Sequence, residues 1–234
     1  MNPALASIVL PAYNQADHIG GVLRAYSGAL ADLPFPFELI VVVNGPRRDR
    51  TLDLCRSVEA DVPCVRTLCI DQAGWGRAVR VGLSHARGDM LCYTNSSRTT
   101  AADLHRFLWV GSRNPDCVVK ANRKLRESVP RRLGSLLYNL ECRALFGVPF
   151  WDINGTPKVF RRDHSRLLEL TRDDDVIDLE FSVACQEANY TVIEIPVLST
   201  QRHSSRGTTG WRSAARMYVG AWRMRQRRSG VATE

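Results

Sequence analysis

Chemistry in this chain concentrates in one short segment, Thr94-Asn-Ser-Ser-Arg-Thr99, which follows the apolar run Met90–Tyr93. Asn95, Ser96 and Ser97 offer neutral oxygens and hydroxyls. A hard divalent cation prefers at least one carboxylate. Arg98 adds a permanent positive charge whose planar donors suit a phosphate. A second candidate is Gly74-Trp75-Gly76-Arg77, ahead of a helical pattern. Glycines there allow close backbone approach, a helix N-terminus attracts phosphate, and Arg77 could reach the same point. It is not the dinucleotide-binding fingerprint, because Val79 stands at the third glycine position. Two further turn segments, Pro11-Ala12-Tyr13-Asn14 and Asn44-Gly45-Pro46, also directly follow apolar runs.

The elements that must hold these segments alternate strand and helix. Strands are predicted at 6–10, 38–43, 65–70 and 90–94, with helices near 14–30, 51–59 and 77–86. Ile19, Val22, Leu23, Tyr26 and Leu30 follow helical spacing, with Asn14 as the expected cap and Asp17 in the first turn. This rhythm implies an α/β fold with a mostly parallel central sheet flanked by helices. In such sheets ligands bind beyond the carboxyl ends of the strands, where the segments at 11–14, 44–46 and 94–99 fall. The second half is less regular. Strands are expected at 117–122, 158–161 and 191–197 and helices at 131–146 and 179–188, with Asp163 capping a helix after the second of these strands. Leu133, Leu136, Leu137 and Leu140 form one stripe of the helix at 131–146. Residues 1–210 read as one domain, and 211–234 as a basic amphipathic C-terminal helix or tail.

The 234-residue chain can bury a full core. Its net charge of +8 points to a polyanionic partner. No recognisable nucleic-acid motif accompanies that charge, so nucleic acid is not the expected partner. The odd count of seven cysteines, with no Cys-x-x-Cys pair, reads as buried free thiols in a reducing compartment. No basic segment precedes the first short apolar run, and no run reaches the ~20 residues that cross a bilayer. The expected location is therefore cytoplasmic, with any membrane contact peripheral.

Ser7-Ile-Val-Leu-Pro-Ala-Tyr-Asn14 resembles the opening strand of family 2 glycosyltransferases with the GT-A fold. Ala73-Gly-Trp-Gly-Arg-Ala-Val-Arg-Val-Gly-Leu-Ser-His-Ala-Arg-Gly-Asp89 is similar to their segment of glycines, basic residue and helix. Within the family the chain is most similar to dolichyl- and polyprenyl-phosphate sugar synthases. That likeness rests on Arg123, Arg131 with Ser135, Asn154-Gly-Thr-Pro-Lys-Val-Phe-Arg-Arg162, Asp178-Leu-Glu180, and Glu194-Ile-Pro-Val197 followed by Arg202.

The resemblance implies a nucleotide-diphosphate-sugar donor, with Pro11, Ala12, Tyr13 and Asn14 around its base and ribose. Asn44 stands where an aspartate usually reads the base or ribose. Asn95 and Ser97 stand where two aspartates would bracket the diphosphate and hold Mg²⁺ or Mn²⁺. The expectation is that no metal cofactor is used and that Arg98 balances the departing diphosphate. An acceptor phosphate is expected on Arg123, Arg131, Ser135, Lys158 and Arg202. A lipid phosphate needs no general base, whereas a soluble hydroxyl acceptor would, with Asp178 or Glu180 as candidates. Six arginines together with Trp211, Tyr218 and Trp222 over 211–228 suit a helix lying on an anionic membrane surface. The alternatives are transfer to a soluble hydroxyl and a non-catalytic nucleotide-sugar binder. A nucleotidyltransferase would normally keep metal-binding carboxylates.

Overall fold

The computed structural model describes residues 2–125, 129–198 and 211–231, with side chains for all of these except 124–132, 211–214 and 227–231. The elements run β1 (Ala6–Ala12), α1 (Ile19–Leu30), β2 (Phe37–Asn44), α2 (Thr51–Asp61), β3 (Val65–Ile70), α3 (Trp75–His85), β4 (Met90–Tyr93), α4 (Ala101–Arg113), β5 (Cys117–Leu125), α5 (Val129–Phe146), β6 (Lys158–Arg161), a 3-10 turn (Ser165–Leu167), α6 (Ile177–Glu187), β7 (Thr191–Leu198) and α7 (Trp211–Val231).

Seven strands form one sheet in the order β3-β2-β1-β4-β6-β5-β7. β1 pairs in parallel with β2 and β4, and β5 with β7. β6 alone runs antiparallel, between β4 and β5. All the other strands therefore end on one edge, and β6 begins there. Continuous apolar runs such as Leu39–Val43 have this form because helices cover both sheet faces. One core packs α1, α2 and α4 against Ile8, Leu10, Leu39 and Val41. The other packs α3 and α6 against Val9, Ile40, Val42 and Leu91.

The five positions expected to face inward on α1 are all buried. Asn14 does not cap that helix, and Asp17 is outside its first turn. The helix starts at Ile19, and Asn14 instead takes a left-handed φ of 51° in the turn beyond β1. Asn tolerates that backbone better than most residues. Asp163 is not a side-chain cap either: the element there is one short 3-10 turn, with His164 before it and no side-chain capping bond. Thr100 does cap α4, its Oγ1 accepting the Asp103 N–H at 3.0 Å.

α5 and α7 make a third cluster. Tyr138 and Tyr218 meet edge to face at 5.4 Å, and the Tyr218 hydroxyl donates to the Gly134 carbonyl at 2.7 Å. Ala221 and Met224 bury the same side of α7 beside Val176 and Leu179. All seven cysteines are free thiols. Among the described residues no helix is long and apolar enough to cross a membrane.

Candidate functional site

The ends of β1, β2 and β4 are joined by side chains into one rim. Asn44 is the central strut. Its Nδ2 donates to the Ala12 carbonyl at 3.0 Å, and its Oδ1 accepts the Gly74 N–H at 3.1 Å. Gln15 is the second strut. Its N–H donates to Thr51 Oγ1 at 2.8 Å, while its Oε1 accepts the Ser96 hydroxyl at 2.6 Å. Asp49 closes the loop by accepting from the Ala16 and Thr51 N–H groups. Sequence reasoning missed Gln15, because an exposed-looking glutamine after a turn carries no distinctive signal.

Tyr13, Asn14, Asn44, Gly45, Asp49 and Thr51 line a small cavity within this rim. Gly45 has φ 85°, and a Cβ there would come within 2.8 Å of Ala73 Cβ and 3.0 Å of Tyr13 Cε2. Glycine thus lets the Tyr13 ring sit flush against the β2 turn. Pro11 and Ala12 are buried at the end of β1 and contribute backbone rather than a side-chain surface. Asn44 was expected to read the donor. It is buried, with both polar atoms of its amide committed to the rim. A carboxylate at that position could accept from Gly74 but would oppose the Ala12 carbonyl, which is a physical reason for the amide.

The segment after β4 is also internally bonded. Asn95 Oδ1 accepts the Ser97 N–H at 2.9 Å and the Ser97 hydroxyl at 2.6 Å, an Asx turn. Ser96 is fully buried with its hydroxyl turned to Gln15, so it is not a donor-facing group. Arg98 is half-buried at the next position, its backbone N–H directed at the Asn95 carbonyl. The oxygens here are neutral and already accept or donate internally, which is a poor fit to a divalent cation. Among the described residues no group of three or more His, Cys, Asp or Glu could hold a metal ion.

The glycine segment serves a different purpose from the one expected. The chain's own 172–174 loop fills the space beside it. A Cβ on Gly76 would lie 2.7 Å from the Asp174 carbonyl, and one on Gly74 would strike the Asp173 carbonyl. The Arg77 N–H, one of the open donors at the start of α3, already bonds the Asp173 carbonyl at 3.1 Å. The Arg77 side chain pairs with the Asp173 carboxylate at 2.5 Å, and Arg80 pairs with the same carboxylate at 2.6 Å. Gly74 and Arg77 therefore dock a loop onto α3, where a phosphate was expected.

The charged residues of the second half form a buried cluster beneath the rim. Lys158 is fully buried and donates to Asp178. Asp178 also accepts from Tyr93 at 2.9 Å and from the Trp75 indole at 3.2 Å. Burial pulls the Lys158 pKa down to about 8, and the Asp178 charge only partly offsets that. The Tyr93 hydroxyl is held well above its ordinary pKa, first by burial and then by Asp178. Arg123 grips Asp152 in a bidentate pair, both contacts 2.6 Å, and its N–H donates to the same carboxylate. Burial alone would lower the Arg123 pKa, but Asp152 more than reverses it. Lys120 bonds Glu194 at 2.7 Å and the Asp152 carbonyl at 3.0 Å.

The expected acceptor set is thereby divided. Lys158 lies in the core because β6 is an inner strand, not an edge. Arg123 is committed to Asp152. Ser135 is half-buried on α5, Arg131 lies in the first turn of that helix with its side chain outside the described set, and Arg202 lies outside the described residues. Asp178 is committed to three donors. Glu180 accepts from the Thr171 hydroxyl and from the Thr171 and Arg172 N–H groups, so it fastens the 171–172 loop. Of the partners involved, Lys120 and Asp152 gave no sequence signal as chemistry-bearing residues.

Comparison with known proteins places this arrangement. The model of Glycosyl transferase family 2 matches residues 7–96, which contain the loops after β1, β2 and β3 and the start of the loop after β4. The chain is 27% identical over 201 residues to the undecaprenyl-phosphate 4-deoxy-4-formamido-L-arabinose transferase of Pseudomonas syringae, covering 85% of this chain and 55% of that protein. The enzyme of the same name from Klebsiella pneumoniae is 22% identical over 199 residues, covering 84% and 60%. The chain spans about half the length of the curated relatives it matches. Among solved structures, glucosyl-3-phosphoglycerate synthase from Mycobacterium tuberculosis, held with Mn²⁺, UDP and phosphoglyceric acid, superposes with a TM-score of 0.73 at 15% identity, covering 95% of this chain and 78% of that one. A Pyrobaculum calidifontis mannosyltransferase with GDP-Man and Mn²⁺ gives 0.61 at 19% identity, covering 97% and 65%. The chain thus has the GT-A fold.

Proposed function

We propose that this domain transfers a sugar from a nucleotide diphosphate to a polyprenyl phosphate at a cytoplasmic membrane surface, with inversion at the anomeric carbon. The family match and the names of the relatives support the donor and acceptor classes. The observation that carries the reading is the state of the two carboxylates available as a base. Asp178 holds a lysine, a tyrosine and a tryptophan, and Glu180 holds a loop. Neither is placed to take a proton from a hydroxyl. An acceptor that is already an oxyanion requires none.

In this reaction a phosphate oxygen of the lipid attacks the anomeric carbon. The bond from that carbon to the diphosphate breaks on the opposite face, and its electron pair leaves with the diphosphate. The rim around Tyr13 and Gly45 holds the nucleoside end. Arg98, at the exit of β4, meets the charge that builds on the leaving group. A unit charge pair at about 4 Å is worth about 4 kcal/mol at an effective dielectric near 20, or roughly three decades of rate if realised only in the transition state. No divalent cation takes part in this scheme, consistent with the neutral oxygens of Asn95 and Ser97. The C-terminal basic helix, α7, contacts the membrane surface.

The test is a product assay offering polyprenyl phosphate and the corresponding polyprenol to the protein with a panel of nucleotide sugars. Transfer to the phosphate alone is expected. Transfer to the alcohol or to a soluble hydroxyl would overturn the acceptor assignment. Donor binding with no transfer to any acceptor would leave a nucleotide-sugar binder.

A further inference from the structure

The charge of this chain is not spread over its surface. α5 and α7 together carry nine arginines and a single acid, Glu141, so the whole net charge of +8 lies on this one helix pair. The rest of the chain is electrically neutral. The same pair displays the main apolar stripe of the surface. Leu133, Leu136, Leu137 and Leu140 of α5 are 56%, 43%, 51% and 48% exposed. They recur at the spacing of one helix face. The opposite face of α5, through Tyr138 and Cys142, is the one packed against α7 and the domain. Val219 and Trp222 of α7 are also exposed. Large side chains exposed in a contiguous stripe mark a docking surface rather than chance.

We propose that the leucine face of α5, on the helix pair that carries the net charge, lies on the surface of an anionic bilayer. Apolar side chains beside arginines match the acyl boundary and the headgroups of such a surface. The charge argues against a second copy of this chain: a two-fold contact would bring the same +8 patch against itself. Nucleic acid would answer the arginines and leave the leucines in water. The topology adds a reason. β5 ends on the edge of the sheet where β1, β2 and β4 end, and α5 starts just beyond it. A bilayer against α5 therefore lies beside the edge that carries the candidate donor rim. This inference rests on the lipid-phosphate reading above and deepens it, by making α5, more than α7 alone, the element that enters the membrane surface.

The experiment is flotation of the full chain with vesicles of phosphatidylcholine alone and of phosphatidylcholine with phosphatidylglycerol. The protein should float with the anionic vesicles and be released by salt. The variant Leu136→Gln/Leu137→Gln/Leu140→Gln should weaken that partition at least about tenfold while melting at an unchanged or higher temperature, since the positions are exposed. Arg216→Gln/Arg223→Gln should remove the preference for anionic lipid. Partition of the leucine variant equal to the parent would overturn the proposal, as would a parent that ignores anionic vesicles. A parent that is dimeric in solution, made monomeric by the leucine changes with vesicle binding unaltered, would assign the face to a second copy instead. Transfer to a short, water-soluble prenyl phosphate separates this proposal from the functional reading. The leucine variant should retain that transfer and lose transfer to acceptor embedded in vesicles. A parent that floats but transfers to neither acceptor would sink the functional reading and leave the membrane face standing.

Discussion

The strand-end rim and the cluster beneath it solve opposite problems. Around the rim, neutral amides and hydroxyls from Asn44, Gln15 and Ser96 lock the strand-end loops to one another. Beneath it, Lys120, Arg123 and Lys158 are matched by Glu194, Asp152 and Asp178 in a buried cluster. Sequence position suggested the reverse economy, with the second-half cations available to a ligand. Burial explains the difference. A cation taken out of water must be paired or lose its charge, so these side chains serve the fold before they can serve a substrate.

The largest effect that could break this contrast is on rate. Arg98→Ala should lower kcat and kcat/KM together by roughly 100- to 1,000-fold with donor affinity little changed, the pattern of an interaction made only in the transition state. A rise in KM alone would place Arg98 in ground-state binding. On stability the largest effect is in the cluster. Asp152→Ala strands Arg123 and should cost about 3–5 kcal/mol in denaturant unfolding; a loss near zero would mean that the bidentate pair is not formed. Asn44→Asp sets a carboxylate against the Ala12 carbonyl and should cost roughly 1–3 kcal/mol. Equal stability would show the Asn44 side chain reaching outward to a ligand instead.

The smallest effect sharpens the comparison through pH. Lys158 has a folded pKa near 8, below its unfolded value. Between those two values the unfolded chain binds more protons, so stability rises with pH across that window. The parent should therefore gain stability relative to Lys158→Met as pH rises from 8 toward 10. A flat difference would mean that the lysine keeps its ordinary pKa.

Much of the fold was legible because it depends on period. The strand at 65–70 has the predicted bounds, and the inner face of α1 is the one its apolar spacing marked. Caps were less legible. Asn14 and Asp163 are residues that favour caps, yet also residues that favour the turns in which the fold places them. At the site, the clustering of strand-end loops followed from parallel topology alone. The roles within it did not follow. Gly74 and Gly76 read as a phosphate cradle, and only the tertiary packing of the 172–174 loop shows what their missing side chains admit. Asp178 and Glu180 read as candidate bases at a helix start, but the partners of Asp178 lie as far away in sequence as Trp75 and Tyr93.

The central claim is that an arginine, not a divalent ion, balances the departing diphosphate. Its most direct measurement is turnover of donor and polyprenyl phosphate after exhaustive treatment with EDTA, with Mg²⁺ or Mn²⁺ then added back. The account predicts a rate unchanged by chelation and unaffected by either metal. Turnover abolished by EDTA and restored by the metal would contradict it.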